Sequence, residues 1–399
     1  MAATPFTSAE VQAFRAATQG TAGRIHFNNA GSSLPPDVVV KTMVDFLQEE
    51  AINGGHETEA KYRQQLDHTN TLIAKLINAN PDEIALVENA SAAWGIAFHG
   101  LDFSPGDEVI TSEMEYASNV LGLLNAQKAH GIVIRVIHSD GEGNFPLDTL
   151  EAAITSKTKL IAMTQIPSAG GNILPVADIG KVARRHNIPY LLDACQAVGQ
   201  MPVDVQAIGC DMLAATGRKF LRGPRGSGFL YVRREMLDNL KLLRLDGYSV
   251  TSMTQQGFAP RDGARRFEWY EKNRGVTMGL HKAIKYVIDA GIERIWQRIQ
   301  HLSATLRQGL KDIDGVVVHD QGDNLCGIVT FSVSGLPATV VKDKLSEKNI
   351  NVSIGNAKAT LYYMNRKGLD GIIRASVHYY NTEEEINIVC SALRAMVKS

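Results

Sequence analysis

The sequence predicts an α/β protein, a mainly parallel sheet between helices with a smaller α+β unit following it, and three observations lead there. Short apolar runs bounded by turns alternate with helix-period segments between residues 82 and 232, the pattern of crossover-linked parallel strands. At 399 residues the chain exceeds what a single core usually holds, so two domains are expected. Polar or small residues recur just past the strand ends, at Ser91, Tyr116, Ser168 and Asp193. In open parallel sheets that carboxyl edge is where ligands gather.

Bulk properties exclude several classes. Apolar content of 44% and charged content of 21% suit a soluble globular protein. A formal net charge of −1 argues against a nucleic-acid surface, which needs a basic excess. No apolar run approaches ~18 residues, so no membrane span is expected. The start, Met1-Ala2-Ala3-Thr4-Pro5, has neither the charged nor the apolar region of a secretory signal, which points to the cytoplasm. Cys195, Cys210, Cys326 and Cys390 lie far apart with no CxxC spacing, so neither a disulfide framework nor a metal site is expected. No GxGxxG opens a first strand–helix turn, which disfavours a nicotinamide dehydrogenase.

Taken in order, residues 8–19 read as an amphipathic helix after Thr7-Ser8. Residues 24–27 form a strand running into the turn Asn28-Asn29-Ala30-Gly31, whose small residues let a backbone pass beside a ligand. Helical periodicity from Pro36 to Glu50 breaks at Asn53-Gly54-Gly55-His56, with His56 in the loop, and a polar helix over 57–78 follows. Strand 82–88 gives way to a helix for which Ser91 reads as the N-cap, with the amides of Ala92 and Ala93 free to meet an anion. Strand 107–111 leads to Tyr116. Strands 132–137 and 159–164, around a helix at 147–155, lead to Ser168. A helix over 176–186 precedes Tyr190-Leu191-Leu192-Asp193, a buried strand ending on a carboxylate. About 26 residues on, Lys219 stands in the turn Thr216-Gly217-Arg218-Lys219, before the apolar run Phe229-Leu230-Tyr231-Val232. A polar loop over 246–259 and helices at 276–290 and 293–313 lead to strands 316–318, 327–331 and 372–376.

These motifs, from Phe27-Asn28-Asn29-Ala30-Gly31 to Arg374-Ala375-Ser376 and Tyr380-Asn381-Thr382, resemble the class V aminotransferase family of fold type I pyridoxal phosphate enzymes. That family includes cysteine desulfurases, selenocysteine lyases, isopenicillin N epimerase-like proteins and carbon–sulfur lyases. The resemblance runs nearly end to end. It implies a large domain over 21–292 holding a seven-stranded sheet, and a small domain made of 1–20 and 293–399. It also implies a homodimer in which a partner segment near Asn273 completes the site, with Glu271 standing where relatives often have a threonine.

For the cofactor, the resemblance makes Lys219 the Schiff-base lysine and general base, and Asp193 the partner of the pyridine nitrogen. Tyr116 takes the place of the ring that stacks on the cofactor. Ser168 and Gln196 face the ring hydroxyl, while Ser91, Ala92, Thr216 and Arg218 hold the phosphate. Relatives usually carry histidine at the position of Arg218. On the substrate side the resemblance implies Ala30, Gly31, His56 and a carboxylate clamp, Arg374. The loop residues His56, Lys358 and Tyr362 are expected to line that side, their polarity suggesting a polar or extended substrate. Desulfurases need a nucleophilic cysteine shortly before the Arg374 segment, yet Ser353 to Tyr363 contains none. Elimination of a sulfur group at Cβ, transamination and racemisation remain, and resemblance to the lyase and epimerase-like branch ranks elimination first and transamination next, with a non-catalytic binding protein last.

Overall fold

The computed structural model describes residues 4–397. Helix α1 (Ser8–Ala16) starts at Thr7, whose side chain and that of Glu10 form a reciprocal capping box. Strand β1 (Ile25–His26) runs into a single helical turn, α2 (Asn29–Ser32), then α3 (Asp37–Asn53) and α4 (Gly55–Ile77). Gly54 at φ 93° ends α3, and α4 begins on the next residue. His56 therefore sits in the exposed first turn of a helix rather than in the loop expected.

The central unit follows as β2 (Ile84–Val87), α5 (Ala90–Gly100), β3 (Glu108–Ser112), α6 (Ala117–His130), β4 (Val133–Ile137), α7 (Leu147–Ala152) and β5 (Thr158–Thr164). It continues through α8 (Val176–Arg185), β6 (Tyr190–Asp193), α9 (Val205–Ile208), β7 (Met212–Thr216) and β8 (Gly228–Val232). These strands form one seven-stranded sheet in the order β2-β8-β7-β6-β5-β3-β4. Only β8 runs against its neighbours. Alternate residues point to opposite faces of a strand, and both sets are buried here. Leu160, Leu191, Ala214 and Leu230 pack under Trp94 and Phe98 of α5, while Ile161, Leu192, Leu213 and Tyr231 enter the larger core beneath α8. Burial on both faces explains why these strands read as unbroken apolar runs.

Residues 246–259, expected as a loop, contain an exposed hairpin of β9 (Val250–Thr254) and β10 (Gly257–Pro260). Helices α10 (Arg274–Ala290) and α11 (Ile292–Lys311) carry the chain to β11 (Val316–Val318), β12 (Ile328–Val333), α12 (Ala338–Ser346) and β13 (Ile350–Asn351). Strand β14 (Ser353–Gly355), α13 (Leu361–Arg366), β15 (Ile372–Ser376) and α14 (Glu383–Val397) complete it. The second sheet has the order β11-β12-β15-β14 and is antiparallel. Strand β1 pairs with β13, so the residues after position 20 are hydrogen-bonded to the C-terminal third. That pairing brings the Asn28–Ser32 turn beside β15, where Ser376 Oγ accepts from the amide of Ala30 at 2.8 Å.

Candidate active site

The carboxyl ends of β2, β3, β5, β6 and β7 open on one cavity of about 370 Å³. Asn89, Ser91, Tyr116, Ser168, Asp193, Gln196, Thr216, Arg218 and Lys219 all contribute to its lining. Eight of the positions expected to hold a cofactor therefore come together: all except Ala92 and Asn273.

Lys219 follows β7 by three residues, in a turn that leaves no room for side chains. A Cβ on Gly217 would stand 2.2 Å from Ser227 Oγ, and one on Gly228 2.7 Å from the Ala215 carbonyl. The lysine is 8% exposed, with its amine 5.8 Å from the centre of the Tyr116 ring. Next in the turn, Arg222 adopts a left-handed φ of 58°, costly for a residue with a Cβ. Hydrogen bonds to Leu34 O, Tyr379 Oη and Thr18 Oγ1 hold it there.

Asp193 is buried at the end of β6. Its Oδ1 accepts from the amide of Cys195 and its Oδ2 from Asn119, both at 2.9 Å. Burial raises its carboxyl above the usual range, against the pull of the Lys219 charge and these hydrogen bonds. Gln196 donates to Ala30 O at 3.2 Å, leaving its buried Oε1 with no partner.

At the phosphate end, one expectation is corrected. Asn89, not Ser91, caps α5: its side chain accepts from the amide of Ala92 at 2.9 Å, and its carbonyl accepts from Ala93. The amides of Ala92 and Ala93 are thus occupied, and those of Ala90 and Ser91 remain without intrahelical partners. Thr216 Oγ1 donates to Ser227 O at 3.2 Å. Arg218 reaches the carbonyl of Gly31, toward Arg374.

Arg374, on β15, is held by neutral acceptors alone: Ser353 Oγ at 2.9 Å, Ser168 O at 2.7 Å and Oγ at 3.1 Å, and Asn28 Oδ1 at 3.4 Å. Burial, with the Arg218 charge nearby, lowers its guanidinium to about 10. Two cations that lack a carboxylate partner among the described residues thus face the Asn28–Gly31 turn, a receptor for an anion. Ser168 lines the cavity while serving as a seat for Arg374.

Three substrate-side expectations lie elsewhere in this chain. His56 and Lys358 are exposed, and Tyr362 is half-buried on α13; none lines the cavity. Asn273 caps α10, accepting from the amide of Val276 at 2.9 Å, and borders a separate groove beside Ser227 and Gly228. Sequence reading passed over Asn119 and Glu115, whose polar spacing of four on a helix start was the available signal.

The residues fit pyridoxal phosphate. A buried carboxylate awaits a cation, an unpartnered buried amide oxygen awaits a donor, and free amides await an anion, all around a cavity containing one lysine. Among the described residues no cluster of three His, Cys, Asp or Glu could bind a metal, and no helix is long and apolar enough to cross a membrane.

A site of this kind, on this sheet, defines a fold type I pyridoxal phosphate enzyme. The family model for aminotransferase class-V matches residues 25–389. A probable cysteine desulfurase of Methanothermobacter thermautotrophicus is 32% identical, over 92% of this chain and 94% of that one. Another from Pyrococcus abyssi is 31% identical over 94% of each. Among solved structures, the apo cysteine desulfurase of Thermococcus onnurineus superposes with a TM-score of 0.92 at 28% identity, covering 100% of both chains. The cystine C–S lyase C-DES, solved with its product cysteine persulfide, gives 0.86 at 25% identity, covering 94% of this chain and 99% of that one. The chain belongs to the class V aminotransferase family and is a pyridoxal phosphate-dependent enzyme.

Proposed function

We propose that the protein eliminates a sulfur leaving group from Cβ of a cysteine-type α-amino acid, releasing a thiol, pyruvate and ammonium. The observation that carries this reading is the segment before β15, residues 353–363, which contains no cysteine to accept sulfur. Of the four cysteines only Cys195 lines the cavity. Burial pushes its thiol up despite the nearby Lys219 charge, and a neutral thiol is a poor nucleophile. Likeness to a cystine C–S lyase supports the same outcome.

When bound, pyridoxal phosphate supplies an electron sink for negative charge developing at Cα. Asp193 would hold the proton on the pyridine nitrogen, and Gln196 Oε1 would accept from the ring hydroxyl. The amides of Ala90 and Ser91, with Thr216 and Arg218, would bind the phosphate. Tyr116 would cover one ring face. Arg374, pre-set by Ser353 and Ser168, would bind the substrate carboxylate through its Nη2 hydrogens, one not donated and the other held only at 3.4 Å by Asn28. Lys219 takes the Cα proton. The electron pair left at Cα forms the Cα–Cβ double bond as the Cβ–S bond breaks, and sulfur departs with that bond's pair as a thiolate. The Lys219 ammonium returns the proton to it. The 2-aminoacrylate released tautomerises and takes up water, giving pyruvate and ammonium.

The test is product analysis with L-cystine, S-alkylcysteines and L-cysteine. Equal yields of pyruvate, ammonium and the sulfur product are expected. Accumulation of alanine would indicate desulfuration onto a protein thiol. A keto acid retaining the substrate's side chain would indicate transamination, and inverted Cα configuration alone an epimerase.

A further inference from the structure

Behind Asp193 lies a second buried carboxylate that the proposed chemistry does not use. Asn119, on α6, spends one amide hydrogen on Glu115 Oε1 at 2.7 Å and the other on Asp193 Oδ2 at 2.9 Å. An amide nitrogen has only two hydrogens, so Asn119 ties the two carboxylates together. Glu115 is fully buried. Its Oε1 also accepts from the amide of Tyr116 at 2.9 Å and from Thr164 Oγ1, and its Oε2 from Thr111 Oγ1 at 3.0 Å. Tyr116 N and Asn119 Nδ2 can only donate, so Oε1 is held as an acceptor.

Among the described residues no lysine, arginine or histidine pairs with Glu115. The titratable groups facing it are Asp193, Tyr190 and Tyr362, and the Lys219 charge acts on Asp193. A buried negative charge with no cation of its own is unfavourable, unless a positive group comes to the far side of its neighbour. The protonated pyridine nitrogen, placed against Asp193 in the reading above, is such a group.

We propose that Glu115, acting through Asn119, is a positioning residue that supplies a second negative charge behind Asp193 and so strengthens its hold on the protonated ring nitrogen. The inference rests on the pyridoxal phosphate reading of this cavity. Like charges in a dry site reinforce one another's demand for a cation. Asn119 takes one lone pair of Asp193 Oδ2, as the Cys195 amide takes one of Oδ1, leaving the others to the cavity.

Glu115→Gln is a clean probe. The glutamine oxygen can take the place of Oε1, and its amide nitrogen that of Oε2, where the Thr111 hydroxyl can turn round to accept. Every hydrogen bond survives and only the charge goes. Apoprotein, wild type and variant, is titrated with pyridoxal phosphate and with its 1-deaza analogue, in which C–H replaces the ring nitrogen. The proposal expects the variant to bind pyridoxal phosphate about 10-fold more weakly and the analogue as tightly as wild type does. Equal weakening for both would assign Glu115 a structural role only and overturn the proposal, as would no change for either. Wild-type protein that binds neither ligand would overturn the reading of the cavity itself, and this inference with it.

Discussion

Arg374 shows how a functional residue can act against stability. It is buried with neutral acceptors only, and its guanidinium is pulled down to about 10 by burial and by Arg218. A buried cation without a counter-charge is unfavourable until an anion arrives. Arg374→Gln should raise the melting temperature of the apoprotein or leave it unchanged, while KM rises about 100-fold with loss of the charge-assisted contact to the carboxylate. A thermal melt and a KM series check this. A destabilised variant with ordinary KM would make Arg374 a structural residue. Glu115 yields a second expectation at this scale. Burial, then the Asp193 charge, lifts its carboxyl from 4.5 to about 7, so the folded chain holds that proton more tightly than the unfolded one. Its contribution to apoprotein stability is complete below about pH 4.5 and is lost as pH climbs toward 7, on the order of 3 kcal/mol across that window. Asp193 shifts in the same direction. Denaturant melts at several pH values should show the decline, and Glu115→Gln should flatten its upper part.

Elements place these residues, and two of them invite direct tests. Helix α5 is capped by Asn89 through the 2.9 Å bond from Ala92, so Asn89→Ala should cost about 1 kcal/mol. Ser91→Ala should cost almost nothing, since its exposed side chain caps nothing; paired denaturant melts separate the two. Helix α13 is fastened to the larger sheet. Arg366 forks onto both oxygens of Glu113, and the amide of Tyr363 donates to the Glu113 carbonyl at 3.1 Å. Burial pushes the Glu113 carboxyl up, but hydrogen bonds from Arg366, Ser139 and His138 bring it below its ordinary range. The amide of Ala117, next to Tyr116, also donates to the Ala359 carbonyl. One latch thus steadies both α13 and the ring expected to cover the cofactor. Arg366→Ala should speed hydrogen exchange in residues 356–367 and lower kcat/KM roughly 10-fold, as expected for a misplaced positioning element. Unchanged exchange would mean the backbone bonds alone hold α13.

Across the whole molecule, what could be read from sequence follows burial. Strands β5, β6 and β7 are apolar on both faces and therefore stood out as runs, and with them came the sheet edge carrying Ser168, Asp193 and Lys219. The cap of α5 was ambiguous because Asn89 and Ser91 are both good N-cap residues two positions apart. Hairpin β9–β10 is exposed on both sides, so no alternation marked it, and α13 is too short for helical periodicity to show. Asn119 could not be matched to Asp193 from sequence, because 74 residues separate partners that meet only when β3 and β6 flank β5. His56 and Asn273 reflect the same limit: the resemblance supplied their roles, while their positions depend on the packing of α4 and α10. That fold brings one lysine and one buried aspartate into a single cavity. Borohydride reduction of the holoenzyme followed by peptide mass mapping tests this most directly. The account predicts a phosphopyridoxyl group on the peptide containing Lys219 and none in Lys219→Ala; modification at another lysine, or an unmodified Lys219, would contradict it.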